Sequence, residues 1–111
     1  MKNLVVLISG QGRNLQALIE HCAAGHIPAR IAAVISNRAD AYGLVRAQQA
    51  GIATQVVSHR DYTSREAFDA ALMQAIDAYA PDALALAGFM RILTPQFTTH
   101  YEGRALNIHP S

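Results

Sequence analysis

Short apolar runs alternate with segments of helical period along the whole chain. Leu4 to Ile8 is an unbroken apolar run of strand length. Leu15, Leu18, Ile19 and Cys22 then recur at helical spacing, and Gly25 falls where a left-handed residue would close that helix. The unit repeats. Ile31 to Ile35, closed by Ser36-Asn37, predicts a second strand, and a helix follows from about Asp40 to Ala50 with Gly51 as its terminator. Ile52 to Val57 predicts a third strand. Thr63-Ser64-Arg65-Glu66 reads as a capping box opening a helix with Phe68, Leu72, Ala75, Ile76 and Tyr79 on one face.

Pro81-Asp82 turns the chain into Ala83 to Ala87, a strand of small residues that lets helices pack closely, and Gly88 ends it. Phe89 to Leu93 has no clean period. Thr94-Pro95 predicts the N-cap and first residue of a short helix ending near Gly103, and Ala105 to Ile108 is the fifth strand. The order β-α-β-α-β-α-β-α-β with right-handed crossovers predicts an α/β fold, an open Rossmann-like parallel sheet. Ligands of such sheets lie beyond the carboxyl ends of the strands.

Composition narrows the class. With 111 residues the chain suits one domain, and 51% hydrophobic against 15% charged residues excludes a disordered or low-complexity chain. Nine basic and eight acidic residues leave a net charge of +1, so no global field draws in nucleic acid or an anionic membrane and any anion must be held locally. The first apolar run is too short for a signal peptide or a membrane span. The single Cys22 excludes an intrachain disulfide framework and suits a reducing compartment, so the expected location is cytoplasmic. The chain stops at His109-Pro110-Ser111, directly after a strand-like run, an abrupt end for a complete domain.

Three strand ends carry candidate chemistry. Ser9-Gly10-Gln11-Gly12-Arg13-Asn14 joins the first strand to the first helix, where glycines permit a tight turn and free amides can meet an anion. Leu15 occupies the third glycine position of G-x-G-x-x-G, and no acidic residue ends the second strand, so a single phosphate fits better than a dinucleotide. A Gly12→Val change there is expected to weaken phosphate binding more than folding. The same glycines also suit a plain βα turn without a ligand.

At the last strand, alternation places Asn107 and His109 on one face, with Leu106 and Ile108 toward the core. An amide and an imidazole side by side can both donate to an oxyanion, as acyl transfer requires, although a solvated edge pair has the same pattern. In Gly88-Phe89-Met90-Arg91-Ile92-Leu93, apolar side chains beside free backbone groups suit a flat heteroaromatic ring, or a buried turn. Arg65, at the second position of its helix, is a solvated residue unless an acidic ligand tail reaches it. His21, His26, His59 and His100 lack metal-ligand spacing and read as structural, so no metal is expected. There is no nucleophile elbow, Walker lysine or basic-aromatic stripe.

Leu4-Val5-Val6-Leu7-Ile8-Ser9-Gly10, the G-x-G-x-N loop, Ala87-Gly88-Phe89-Met90-Arg91-Ile92-Leu93 and Asn107-Ile108-His109-Pro110-Ser111 together resemble the phosphoribosylglycinamide formyltransferases, folate-dependent enzymes of purine synthesis. The resemblance implies that residues 1 to 111 are the amino-terminal, phosphate-binding half of a formyltransferase domain whose carboxyl-terminal half is absent, and that this stretch alone is inactive. It implies that Gly12, Arg13 and Asn14 hold the ribonucleotide phosphate of phosphoribosylglycinamide. Arg65, Met90, Arg91, Ile92, Leu93 and Asn107 would contact the co-substrate 10-formyltetrahydrofolate. Asn107 and His109 would stabilise the tetrahedral oxyanion as the substrate amine attacks the formyl carbon, with an Asp from the absent half assisting proton transfer. Arg13 stands where the family usually has Ser. Formyltetrahydrofolate deformylase and methionyl-tRNA formyltransferase share part of the pattern, as would a non-catalytic phosphate-binding half-enzyme working with a partner chain.

Overall fold

Strand β1, Lys2–Ile8, is sealed on both sides, because its apolar residues face two separate helical layers. The structure is a computed structural model and describes residues 1–108. The element order continues with α1 (Arg13–Ala23), β2 (Ala29–Ser36), α2 (Tyr42–Gln49), β3 (Ala53–Val56), a single 3-10 turn at His59–Asp61, α3 (Arg65–Asp77), β4 (Ala83–Ala87), α4 (Pro95–His100) and β5 (Ala105–Ile108). The five strands form one parallel sheet in the order β3-β2-β1-β4-β5. The chain moves outward from β1 to β3 and then returns to the other side of β1. The order thus reverses between β1 and β4, the position at which open sheets of this kind form a ligand crevice.

Burial follows the pleat. Leu4, Val6 and Ile8 meet Leu15, Leu44 and Ala47 on one face, and Val5 and Leu7 meet Phe68, Leu72, Ile76, Phe97 and Tyr101 on the other. An unbroken apolar run of this kind is the signature of a parallel strand covered on both faces. Tyr101 is buried, and its hydroxyl donates to Asp77 Oδ1 at 2.8 Å, so its polar tip is satisfied.

Three local expectations need correction. The cap of α3 is Ser64 rather than Thr63: Ser64 Oγ accepts from Ala67 N–H at 3.0 Å, which makes Arg65 the first residue of the helix. Leu106 does not meet the core and is 61% exposed, because β5 is an edge strand that pairs only with β4 among the described residues. The cap at Thr94 is as expected, accepting from Phe97 N–H at 3.3 Å, but the helix stops at His100.

Candidate functional site

The loop after β1 turns at Gly12, whose φ of 78° is left-handed and which caps α1 without a side-chain hydrogen bond. The first-turn N–H groups of a helix have no intrahelical partner, so Arg13 and Asn14 present open amides at the positive end of α1. The loop is held from outside by α2. Gly43 N–H donates to Gly10 O at 3.0 Å, and Arg46 Nε donates to Gln11 O at 2.7 Å. A Cβ on Gly12 would stand 2.6 Å from Gly43 Cα, and one on Gly43 would stand 2.5 Å from Ile8 Cδ1. Gly12 is therefore required by the fold itself, and the expectation that Gly12→Val would chiefly spare folding is wrong.

Ser9 ties three strand ends together. Its buried hydroxyl donates to Asn37 Oδ1 beyond β2 at 2.6 Å and accepts Met90 N–H beyond β4 at 2.8 Å. The segment 88–94 is thereby held at one end. At the other, Thr94 N–H donates to Oδ2 of the buried Asp69 at 2.7 Å. Residues 91–93 lie between these ties, outside any strand or helix. Met90 is 78% and Ile92 74% exposed, whereas the Arg91 guanidinium lies over the Phe68 ring at 5.1 Å.

A cleft of about 710 Å³ opens above these strand ends. Its lining includes Gly12, Arg13, Asn14, Met90 and Arg91 among the residues expected from sequence. Arg13, Arg38 and Arg91 supply positive charge, and no carboxylate is in the lining, so this chain of nearly balanced charge concentrates cationic groups where an anion would sit. Arg38 also pairs with Asp40 at 3.1 Å, and that hydrogen bond and the nearby guanidinium hold the Asp40 carboxyl below its ordinary range.

The other expected residues are not in this lining. Arg65 is exposed at the start of α3, and Ile92 and Leu93 continue the 88–94 segment beyond the cleft. Asn107 is exposed and pairs in register with Leu86, on the sheet face of α3 and α4. Asn14 Nδ2 reaches Ile108 O at 3.5 Å and so links the Gly-loop to the end of β5. His109 lies outside the described residues, and with it the expectation that it shares a face with Asn107.

Sequence reading missed Gly43, Arg46 and Asp69, and placed Ser9 and Asn37 at strand ends without the hydrogen bonds they make. Only Gly43 carried a signal, a glycine early in a predicted helix, where it costs stability unless a close approach requires it. Among the described residues, no group of three or more His, Cys, Asp or Glu side chains is placed to hold a metal, and no helix is long and apolar enough to cross a membrane.

The formyl transferase family model matches residues 2–111. Phosphoribosylglycinamide formyltransferase of Escherichia coli strain K12 is 59% identical over 109 residues, covering 98% of this chain and 51% of that protein. The enzyme of the same name from Haemophilus influenzae is 52% identical, covering 100% of this chain and 52% of its own length. The crystal structure of glycinamide ribonucleotide transformylase 1 from Symbiobacterium toebii superposes with a TM-score of 0.94 at 50% identity, over 99% of this chain and 52% of that one. The chain spans about half the length of the curated bacterial relatives it matches.

Proposed function

The chain belongs to the formyl transferase family, and from that membership we propose that it forms part of an enzyme that moves the formyl group of 10-formyltetrahydrofolate to the amine of 5'-phosphoribosylglycinamide, in cytoplasmic purine synthesis. The observation that carries this reading is the cleft at the β1/β4 reversal, which brings the Gly-loop and the 88–94 segment together, both tied to Ser9.

In this reading the ribonucleotide phosphate rests on the amides of Gly12, Arg13 and Asn14, with the Arg13 guanidinium replacing a hydroxyl contact. The exposed apolar side chains of Met90 and Ile92, on a segment free of helix and strand, suit one face of the pterin ring of the folate, with Arg91 and Leu93 beside them. Arg65, exposed and cationic, suits the acidic tail of that molecule. The substrate amine attacks the formyl carbon, a C–N bond forms, and the carbonyl oxygen takes up negative charge. Asn107 Nδ2 and the His109 imidazole are the donors this chain offers to that oxyanion, and the collapse breaks the bond to the folate nitrogen, which takes up the equivalent of the proton that the attacking amine gives up.

The test is an assay of the full-length polypeptide that contains this chain, with both substrates present. Equal amounts of formylated ribonucleotide and tetrahydrofolate are expected. Formate released without formylated ribonucleotide would instead identify a deformylase.

A further inference from the structure

We propose that His21 and His26 form a two-imidazole binding site for a borderline divalent transition metal of the Zn²⁺ type, at the end of α1 remote from the cleft. Their Nδ1 atoms lie 3.2 Å apart, with the ring centroids separated by 5.4 Å. Two nitrogens bound to one Zn²⁺ at its usual bond length stand about 3.3 to 3.4 Å apart in a tetrahedral site, and about 2.9 Å apart at the right angle of a square-planar one. The observed separation lies between these values, so the two nitrogens already stand at a bridging distance, and each ring has only to turn its lone pair off the N···N line toward a shared metal.

The backbone explains the juxtaposition. His26 N–H donates to His21 O at 2.9 Å, and Gly25 N–H donates to Cys22 O at 3.2 Å, around Gly25 at φ 80°. These two bonds about a left-handed glycine make a Schellman motif, in which the side chains of the first and last of these residues are brought into contact. That contact is commonly between two apolar groups. Here it joins two exposed imidazoles. The spacing of five residues is not the four of a helix-face metal pair, which is why the sequence pattern reads both histidines as structural.

The place also favours a cation. A helix carboxyl end carries partial negative charge, and the motif fixes the backbone at both ligands before any metal arrives. Without metal the two Nδ1 atoms share one hydrogen bond, so one ring carries its proton on Nδ1 and the other on Nε2. Metal uptake moves that first proton to Nε2 of its own ring, and both Nδ1 lone pairs become ligands. Two ligands leave the remaining coordination positions to water, which makes this an open site of modest affinity. An eleven-residue helix spans about 16 Å, so occupancy leaves the Gly-loop at the other end of α1 untouched.

The experiment titrates ZnCl₂ into the full-length protein by calorimetry and reads the nitrogen couplings of bound Cu²⁺ by electron paramagnetic resonance. One site per chain is expected, with a two-nitrogen pattern. His21→Gln and His26→Gln should each weaken Zn²⁺ binding by at least about tenfold, a loss seen even when an outer partner of a metal ligand is removed, and should reduce the copper signal to one nitrogen. His100→Gln should change neither. Unchanged metal-free unfolding midpoints in both variants show that the fold survives. Affinity retained in either variant, loss in His100→Gln instead, or no binding by the unaltered protein overturns the proposal.

Discussion

Gly43 Cα stands 2.6 Å from the place a Cβ on Gly12 would occupy, so the start of α2 closes directly on the loop after β1. The left-handed φ of Gly12 adds its own penalty for any other residue, about 1–2 kcal/mol. Gly12→Ala is expected to lower stability by at least that amount and to weaken ribonucleotide binding together with it. Urea unfolding beside a binding titration of the same preparation checks both.

Arg13 offers the cleaner probe of the phosphate, because it is exposed and lines the cleft. Arg13→Ala should leave the unfolding midpoint within error and weaken ribonucleotide binding by about tenfold, or 1.4 kcal/mol. Calorimetric titration with phosphoribosylglycinamide measures it.

Ser9→Ala removes the partner of Asn37 Oδ1 in a buried place and of Met90 N–H in a part-buried one. Leaving the buried Asn37 oxygen unsatisfied costs about 1–3 kcal/mol. The variant should lose stability on that scale and show a raised KM for the folate substrate, since the 88–94 segment loses one of its two ties. Steady-state kinetics with the folate varied gives the second number.

Burial, and then the hydrogen bond to Asp77, push the Tyr101 hydroxyl well above its ordinary value. The folded chain therefore keeps this proton at pH values where the unfolded chain gives it up. The stabilisation is whole below about pH 10, the tyrosine value in an unfolded chain, and declines as pH rises beyond it. Tyr101→Phe should cost about 0.5–1.5 kcal/mol at neutral pH and make the alkaline decline shallower. Denaturant unfolding between neutral pH and pH 11 tests this.

If Asn107 and His109 act on charge that develops only in the transition state, replacing either by Ala in the full-length enzyme should lower turnover by about 10²- to 10³-fold with little change in substrate affinity. Single-turnover rates beside equilibrium binding separate the two effects. Near-normal turnover in both variants would return the pair to an ordinary strand end.

The sheet was legible because β1, β2 and β4 are short apolar runs and α1 and α3 carry apolar stripes, and both periods survive in the folded chain. The Gly-loop was legible as a turn with open amides, and Gly88 to Leu93 as a ring-binding segment or a buried turn, but not that Met90 and Arg91 line the same cleft as that loop. What holds these pieces together was not. Ser9, Asn37 and Asp69 act through hydrogen bonds to residues 25 to 81 positions away, and no local period marks such a partner. The same blindness covers Arg46, whose guanidinium reaches back 35 residues to Gln11 O. Leu106 was misplaced for a different reason: strand alternation predicts which side a residue faces but not whether a layer covers that side at the sheet's edge.

The most direct test of the account is to add phosphoribosylglycinamide to isotopically labelled full-length protein and follow backbone amide resonances. The amides of Gly12, Arg13 and Asn14 should show the largest shifts, saturating together with one affinity. Saturable binding that leaves these three amides unmoved while others shift would contradict the placement of the phosphate at the start of α1.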